Sequence, residues 1–541
     1  MNWNVTVVIL FVAILAAAAT AKSDDFRVGI EVSTQLPVSH AAEAALRDIG
    51  IDYVNYYVVA VPGADLPQKQ INDAMMALCD SLGLDFSISC HHIDPNPDIV
   101  RDAVQHAKAS NGKTQFLGVV FDELEHCRLL NNYSPTPVAD SAKFEDLAHS
   151  QEATLAGYKK LRARFADLGS PVAATHFWPV LNHTAASAGF TVCPKICKET
   201  YSTVSLAIGI GAAKQYGTDL WADCDLWFWD LVPGHSPEEF KSNLLLAYWL
   251  GVDLVYVEGA GYNLKPAGKQ GIPFSLMNQV MPDTFQLTPH GEVLRWFCRK
   301  YLPAHPRQWT FRDVKPSIAI IRFEDTCHGQ RYTEHWKDHL YGSEKLHSDR
   351  DTEAWLGLWN LLTFGKTGRD GLSFFKVWVG PSGYERAVQT GLVPTYLTRP
   401  VQAAAHPFFV PLNGVVVYDH LVGYDLLRDV PLLFLTGKHV SDETMSAIRK
   451  CVDEGAVCVA WGPLAAKHGF TDWKSGVTVI QQGKGRFVLT DDFGFREVYP
   501  QVNTLIGRPD EIRYRFGSQQ VVLRRVTDNK VSVEISPAAT R

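Results

Sequence analysis

The 541-residue sequence contains no low-complexity tract and no long internal repeat, which sets aside solenoids and biased, unstructured tails. No basic run interleaves with aromatic residues, and the formal net charge is −7, so nucleic acid is not expected as a partner. Beyond the N-terminal region no apolar stretch is long enough to cross a bilayer; Leu244–Leu250 is too short and follows a capped helix start. The Gly-x-Ser-x-Gly elbow of serine hydrolases is absent. Gly483-Lys-Gly485 is a lone glycine pair that reads as a hairpin turn, and no His/Cys spacing matches a zinc signature. Neither a cofactor nor a catalytic metal is therefore expected.

What is present is ordinary for a globular chain: 46% hydrophobic and 20% charged residues, with 14 Trp and 19 Tyr that suit either sugar stacking or a large core. The apolar stretch Val5 to Ala19, closed by Ala19-Thr20-Ala21, reads as an export signal over residues 1–21. A secreted or periplasmic chain without a membrane span after signal removal is expected. Of ten cysteines, Cys193 and Cys197 sit in a loop-like stretch and are expected to be bridged, the others to be buried thiols. Asn132 and Asn182 head glycosylation sequons.

The length exceeds the roughly 100–200 residues of one domain. Short β-rich runs alternate with helical patterns, which implies a parallel sheet. Strands are expected at Phe26–Ser33, Asp52–Ala60, Leu84–His91, Phe116–Glu123, Pro171–Trp178, Leu220–Trp229 and Val252–Glu258, with Thr284–Leu287 as the eighth. Helices are expected at Gln68–Leu82, Asp98–Ala109 and Ser150–Leu168. Ser236-Pro237-Glu238-Glu239 has the capping-box arrangement, and the helix it opens stops at Gly251, which can take a left-handed backbone. The fold class is α/β: a (β/α)8 barrel over residues 22–314, then a flavodoxin-like α/β domain over 315–495. That second region contains a βαβ unit built from Val430–Thr436, Ser441–Glu454 and Val457–Trp461. A small β-rich region over 496–541 completes the chain.

Barrel enzymes work at the C-terminal ends of their strands. Those ends bring together Glu31, Tyr56, His91, His92, Asp122, Glu123, His176, Trp178, Asp225, Trp227 and Glu258. Glycosidic cleavage needs two carboxyl groups flanking the bond, and Glu123 and Glu258 end two long apolar strands nearly opposite each other. The other nine are candidates for binding substrate. Asp223 and Asp225 alternate on one strand and so face the same way. His91, His92, His126, Cys90 and Cys127 are read as sugar contacts or packing, not as a metal site.

An acid/base Glu after the fourth strand and a nucleophilic Glu after the seventh resembles the clan of retaining (β/α)8 glycosidases. The runs Leu287-Thr-Pro-His-Gly-Glu292 and Ile318-Ala-Ile-Ile-Arg-Phe-Glu-Asp325 are similar to β-galactosidases and β-mannosidases that carry a flavodoxin-like trimerisation domain. The resemblance implies an oligo- or polysaccharide substrate and hydrolysis of a β-linkage with net retention. It assigns Glu123 as acid/base and Glu258 as nucleophile, and it implies a homotrimer. In that clan Asn usually precedes the acid/base and contacts the sugar 2-hydroxyl; here the residue is Asp122. Two other readings stand beside it: an inverting glycosidase with Asp122 or Asp225 as base, and a non-catalytic carbohydrate-binding protein on a degenerate barrel.

Overall fold

The structure is a computed structural model. It describes residues 26–32, 40–58, 67–90, 94–125, 144–176, 181–197, 201–226, 235–258, 276–281, 284–325, 340–343, 345–369 and 408–538. Eight parallel strands close into a barrel: β1 Arg27–Val32, β2 Tyr53–Tyr57, β3 Asp85–Cys90, β4 Phe116–Phe121, β5 Val172–His176, β6 Thr191–Ile196, β7 Trp221–Asp225 and β8 Leu254–Glu258, which pairs back onto β1. Tyr53, Val120, Ala173, Cys193, Trp221, Leu254 and Tyr256 fill its interior.

Around the barrel run α1 His40–Ile49, α2 Gln68–Leu82, α3 Pro97–Ala109, α4 Leu147–Ala163, the short α5 Asn182–Ser187, α6 Ser202–Tyr216, α7 Pro237–Trp249 and α8 Pro289–Trp296. The start of α7 is built partly as its sequence implies: the cap and the proline are there, but the Glu239 carboxylate turns to His235 Nδ1 at 3.2 Å in place of the Ser236 N–H. The Ser236 hydroxyl accepts the Glu239 N–H, Pro237 takes the first turn, and Gly251 beyond the end has φ +88°.

One strand is not where the sequence pattern put it. The sixth is Thr191-Val-Cys-Pro-Lys-Ile, whose central proline and lysine are atypical of a buried strand. The runs expected as strands six and seven are thus β7 and β8, and Glu258 ends the eighth strand, not the seventh. The run expected as strand eight lies outside the barrel, as β10 Thr284–Leu287 antiparallel to β9 Met277–Met281. The spacing of fourth and seventh strands, on which the clan resemblance rested, is therefore not the spacing of this barrel.

The same strand corrects the expected disulfide. Cys193 and Cys197 are free thiols. Four residues of extended chain set their Cα atoms roughly 13 Å apart, about twice the reach of a disulfide. Asn182 is also fully buried at the start of α5, so its sequon is closed to a glycan in the folded chain.

A second, six-stranded sheet follows in the order β13-β11-β14-β15-β17-β16. It comprises β11 Ile318–Arg322, β13 Val415–Asp419, β14 Leu432–Thr436, β15 Val457–Trp461, β16 Thr478–Gln482 and β17 Gly485–Thr490. Its first four strands are parallel in the 2-1-3-4 order of flavodoxin-like sheets, and the β16–β17 hairpin, turning at Gly483-Lys484, supplies the antiparallel edge. The helices α9 Arg350–Leu362 and α10 Asp442–Glu454 pack beside it, α10 joining β14 to β15 in the βαβ manner. A four-stranded sheet of β12 Leu412–Asn413, β18 Glu511–Phe516, β19 Gln519–Thr527 and β20 Lys530–Pro537 completes the described chain, with its last hairpin turning at Asp528-Asn529.

The barrel and the second sheet share α6. One side of it rests on β6 and the other on β13, and a Cβ at Gly211 would lie 1.5 Å from the Val417 carbonyl oxygen. Glu324 locks the same seam: its carboxylate accepts the backbone N–H groups of His183 and Thr184 at 3.0 and 2.7 Å and the Thr184 hydroxyl at 2.9 Å. Burial pushes its carboxyl up, but the His183 imidazole, with Nδ1 3.2 Å from Oε1, and then these backbone bonds outweigh it and hold the carboxyl below the usual range. The apolar runs Phe408-Phe409-Val410 and Tyr418 to Leu427, which the sequence offers for subunit contacts, bury Phe408, Phe409, Val410, Tyr418 and Leu427 within the chain; Leu421 alone of the large apolar side chains there is exposed. Among the described residues no helix is long and apolar enough to cross a membrane.

Candidate active site

The C-terminal rim of the barrel converges on Lys195. This lysine stands on β6 between the interior cysteine Cys193 and the turn at Cys197, and its ammonium is fully buried. Nζ lies 3.0 Å from Asp122 Oδ1, 3.2 Å from Glu123 Oε1, 3.5 Å from Asp223 Oδ2 and 3.1 Å from Asp225 Oδ2, and it donates to Glu258 Oε2. Five carboxylates from β4, β7 and β8 thus surround one cation. Burial alone would strip the amine of its proton; Asp122, Asp225, Glu258 and Glu123 outweigh it and hold Lys195 well above its ordinary value. Permanently charged, the amine lacks the lone pair that a carbonyl-attacking lysine needs.

The acids divide by depth. Asp223 and Asp225, facing the same way as alternation requires, are fully covered, and Asp122 is 2% exposed. Glu123 and Glu258 are each 7% exposed and Glu31 9%, so the glutamates form the layer nearest the surface. Burial, offset by Lys195, pushes the Asp223 carboxyl up to about 7. Glu258 is also held well above the carboxylate range, by burial first and then by Asp122, Asp223 and Asp225. Carboxylate oxygens of Asp122, Asp223 and Glu258 lie within 4.8 Å of one another, so Asp223 and Glu258 each raise the cost of charging the other. Glu31 is raised by burial and by Glu258 and Asp122.

Backbone geometry sets Glu123. It follows β4 with φ +46°, a left-handed conformation that non-glycine residues seldom take. Its N–H donates to Thr175 Oγ1 at 2.8 Å, and that hydroxyl donates onward to Asp122 Oδ1 at 2.6 Å. The Asp122 position is thus wired to Lys195, Thr175 and, at 3.5 Å, the Tyr57 hydroxyl. His176 is buried with Nδ1 on Glu125 Oε2 at 2.5 Å.

Of the residues expected at the site, Glu31, Asp122, Glu123, Asp225 and Glu258 are brought together. Tyr56 faces the helices instead, its hydroxyl 2.7 Å from Asn72 Oδ1, and its neighbour Tyr57 turns to the site. His91, His92, Trp178 and Trp227 lie outside the described residues, as do His126 and Cys127 and the segment following each barrel strand at this rim. Lys195, Asp223, Thr175 and Tyr57 complete the constellation. A lysine flanked by a period-2 apolar pattern is the signal that could have found the first.

No family model matches the chain, and no curated protein matches it. Among solved structures it is similar to the exo-beta-1,4-mannosidase from Opitutaceae bacterium strain TAV5, at 10% identity over 89% of this chain and 94% of that one, TM-score 0.45. It is also similar to the catalytic module of a family 98 glycoside hydrolase from Streptococcus pneumoniae TIGR4, at 11% identity over 96% of this chain and 75% of that one, TM-score 0.41. A third is a beta-mannanase from Thermomonospora fusca, at 12% identity over 52% of this chain and 92% of that one, TM-score 0.31. At such scores the likeness says nothing of the chemistry at Lys195.

Proposed function

We propose that the chain is a glycoside hydrolase in which Glu123 and Glu258 are the reacting carboxyls. The observation that carries this is the shared ammonium. Both glutamates touch Lys195 Nζ, so their nearest oxygens stand no more than roughly 6 Å apart, twice an N–H···O distance. Retaining glycosidases place their two carboxyls about 5–5.5 Å apart and inverting ones about 6.5–9.5 Å; the spacing supports retention. They come from β4 and β8, half the barrel apart, and are among the least covered acids of the cluster. Asp122 and Asp225, the bases of an inverting alternative, lie deeper.

The raised Glu258 carboxyl, pushed up by burial and by Asp122, Asp223 and Asp225, supports giving that residue the donor's role toward the leaving oxygen, with Glu123 attacking the anomeric carbon. This exchanges the roles that the sequence resemblance implies. In the first step Glu123 forms a bond to the anomeric carbon while the glycosidic C–O bond breaks and its oxygen takes the Glu258 proton. In the second, water attacks the anomeric carbon, loses a proton to Glu258 and releases Glu123. Lys195 neutralises the carboxylates through both steps, and Asp122 and Asp225 hold it in place.

A panel of aryl glycosides with leaving groups of graded acidity tests the assignment. Glu258→Ala should retain turnover of activated leaving groups, which need no proton, and lose the poor ones. Glu123→Ala should lose all, with azide restoring part by replacing the nucleophile. The reverse pattern restores the sequence-based roles, normal turnover in both variants removes the assignment of both carboxyls, and no turnover by the unsubstituted chain removes the function. Export through residues 1–21, a β-linked saccharide as substrate and assembly into a closed homotrimer are further parts of the proposal.

A further inference from the structure

Outside the barrel wall, a second cluster has no part in this chemistry. Alternation along β7 turns Asp223 and Asp225 toward Lys195 and Cys224 toward the helices. There Cys224 lies beside Cys197. His235 and Glu239, at the start of α7, close the group. Ligating atoms of Cys197, His235 and Glu239 all lie within 4.8 Å of one another, with His235 Nδ1 3.2 Å from Glu239 Oε1. All three residues are buried to 2% exposure or less.

From this geometry we propose a structural zinc site, with Cys197, His235 and Glu239 as ligands and Cys224 as the fourth. Soft thiolates with imidazole and carboxylate in a closed tetrahedral set are what zinc takes in structural sites. Three of the four ligands are each held by a bond of their own backbone. The Cys197 N–H donates to Ser202 Oγ at 3.1 Å, the His235 carbonyl accepts from His290 Nε2 at 2.8 Å, and the Glu239 N–H donates to the Ser236 cap at 3.1 Å. Such outer bonds orient ligands in metal sites. Cys197 also has φ +60°, a strained backbone for cysteine that aims its sulfur at His235 rather than along the strand. Burial keeps both thiols protonated in the absence of a cation, so zinc binding releases protons. No spacing in the sequence reveals the set, because its members come from β6, β7 and α7.

The test is the metal content of the full chain, purified under reducing conditions, equilibrated with zinc chloride and dialysed. One zinc per chain is expected. Cobalt in its place should give a thiolate-to-cobalt charge-transfer band, and Cys197 should resist alkylation while metal is bound. Cys197→Ser and His235→Ala should each lose the ion, whereas Glu258→Gln should keep it, which separates this site from the acids around Lys195. If a variant does not fold, the zinc content and the cobalt charge-transfer band of the wild-type chain decide alone. A chain that emerges metal-free overturns the proposal, as does a Cys197–Cys224 disulfide in the peptide map or zinc lost in Glu258→Gln.

Discussion

Replacing Lys195 by methionine removes the one cation that the described residues place among these five carboxylates, while nearly preserving side-chain volume. Taking one partner from a buried ion pair costs about 3–5 kcal/mol. Here the remaining charges can escape by binding protons, so the loss depends on pH. Unfolded carboxyls titrate near pH 4. With the ammonium gone, the folded cluster keeps protons that the unfolded chain has already released, so the folded state binds more protons and stability falls as pH rises. Each extra proton retained adds about 1.4 kcal/mol per pH unit, or about 3 kcal/mol between pH 5 and pH 7. Lys195 itself, whose unfolded value is about 10.4, does not titrate in that window. Urea unfolding of both chains, followed by tryptophan fluorescence at the two pH values, measures this. The destabilisation should be largest at pH 7 and shrink toward pH 5. A difference that does not change with pH, or is below about 1 kcal/mol at pH 7, would show that Lys195 does not neutralise the cluster.

Asp223→Asn should displace the alkaline limb of the pH–rate profile, since burial pushes the wild-type Asp223 carboxyl up to about 7; an unmoved limb refutes a role for that carboxyl in the profile. Thr175→Val should lower kcat more than it lowers stability, because it unhooks both Glu123 and Asp122; equal kcat in the two chains counts against that wiring. Gly211→Ala should destabilise the chain by on the order of 3 kcal/mol, read as a fall in the denaturation midpoint, because the new methyl meets the Val417 carbonyl. Light scattering should give a multiple of the chain mass; a value near 60.1 kDa across micromolar concentrations removes the trimer.

Much of the barrel was legible because its strands are long apolar runs bounded by helix signals. Gln68–Leu82 matches α2 to the residue, and the Ser236 cap followed by Pro237 places α7. What was not legible turns on β6. Pro194 and Lys195 are the residues that make Thr191–Ile196 look like a loop, yet the lysine is buried because carboxylates from other strands compensate it. Local pattern carries no trace of a compensation made across the barrel. Missing that strand shifted the strand count and with it the family resemblance. Glu123 and Glu258 were legible as strand-terminal carboxyls, whereas the choice between Tyr56 and Tyr57 depends on which face of β2 looks inward.

The helix α6 has a consequence for anyone who would cut this protein. From Ser202 to Ala213 every residue is buried, against the barrel on one side and β13 on the other. A chain ended in the proline-containing stretch after residue 303 keeps the whole barrel but bares an apolar flank that ordinary barrels leave to charged side chains. Such a fragment should be sticky and poorly soluble, even with every acid around Lys195 intact. The stretch that separates the two regions in sequence is thus a poor place to divide them at the bench. Hydrolase assays on an excised barrel would report the exposed helix as much as the carboxyls.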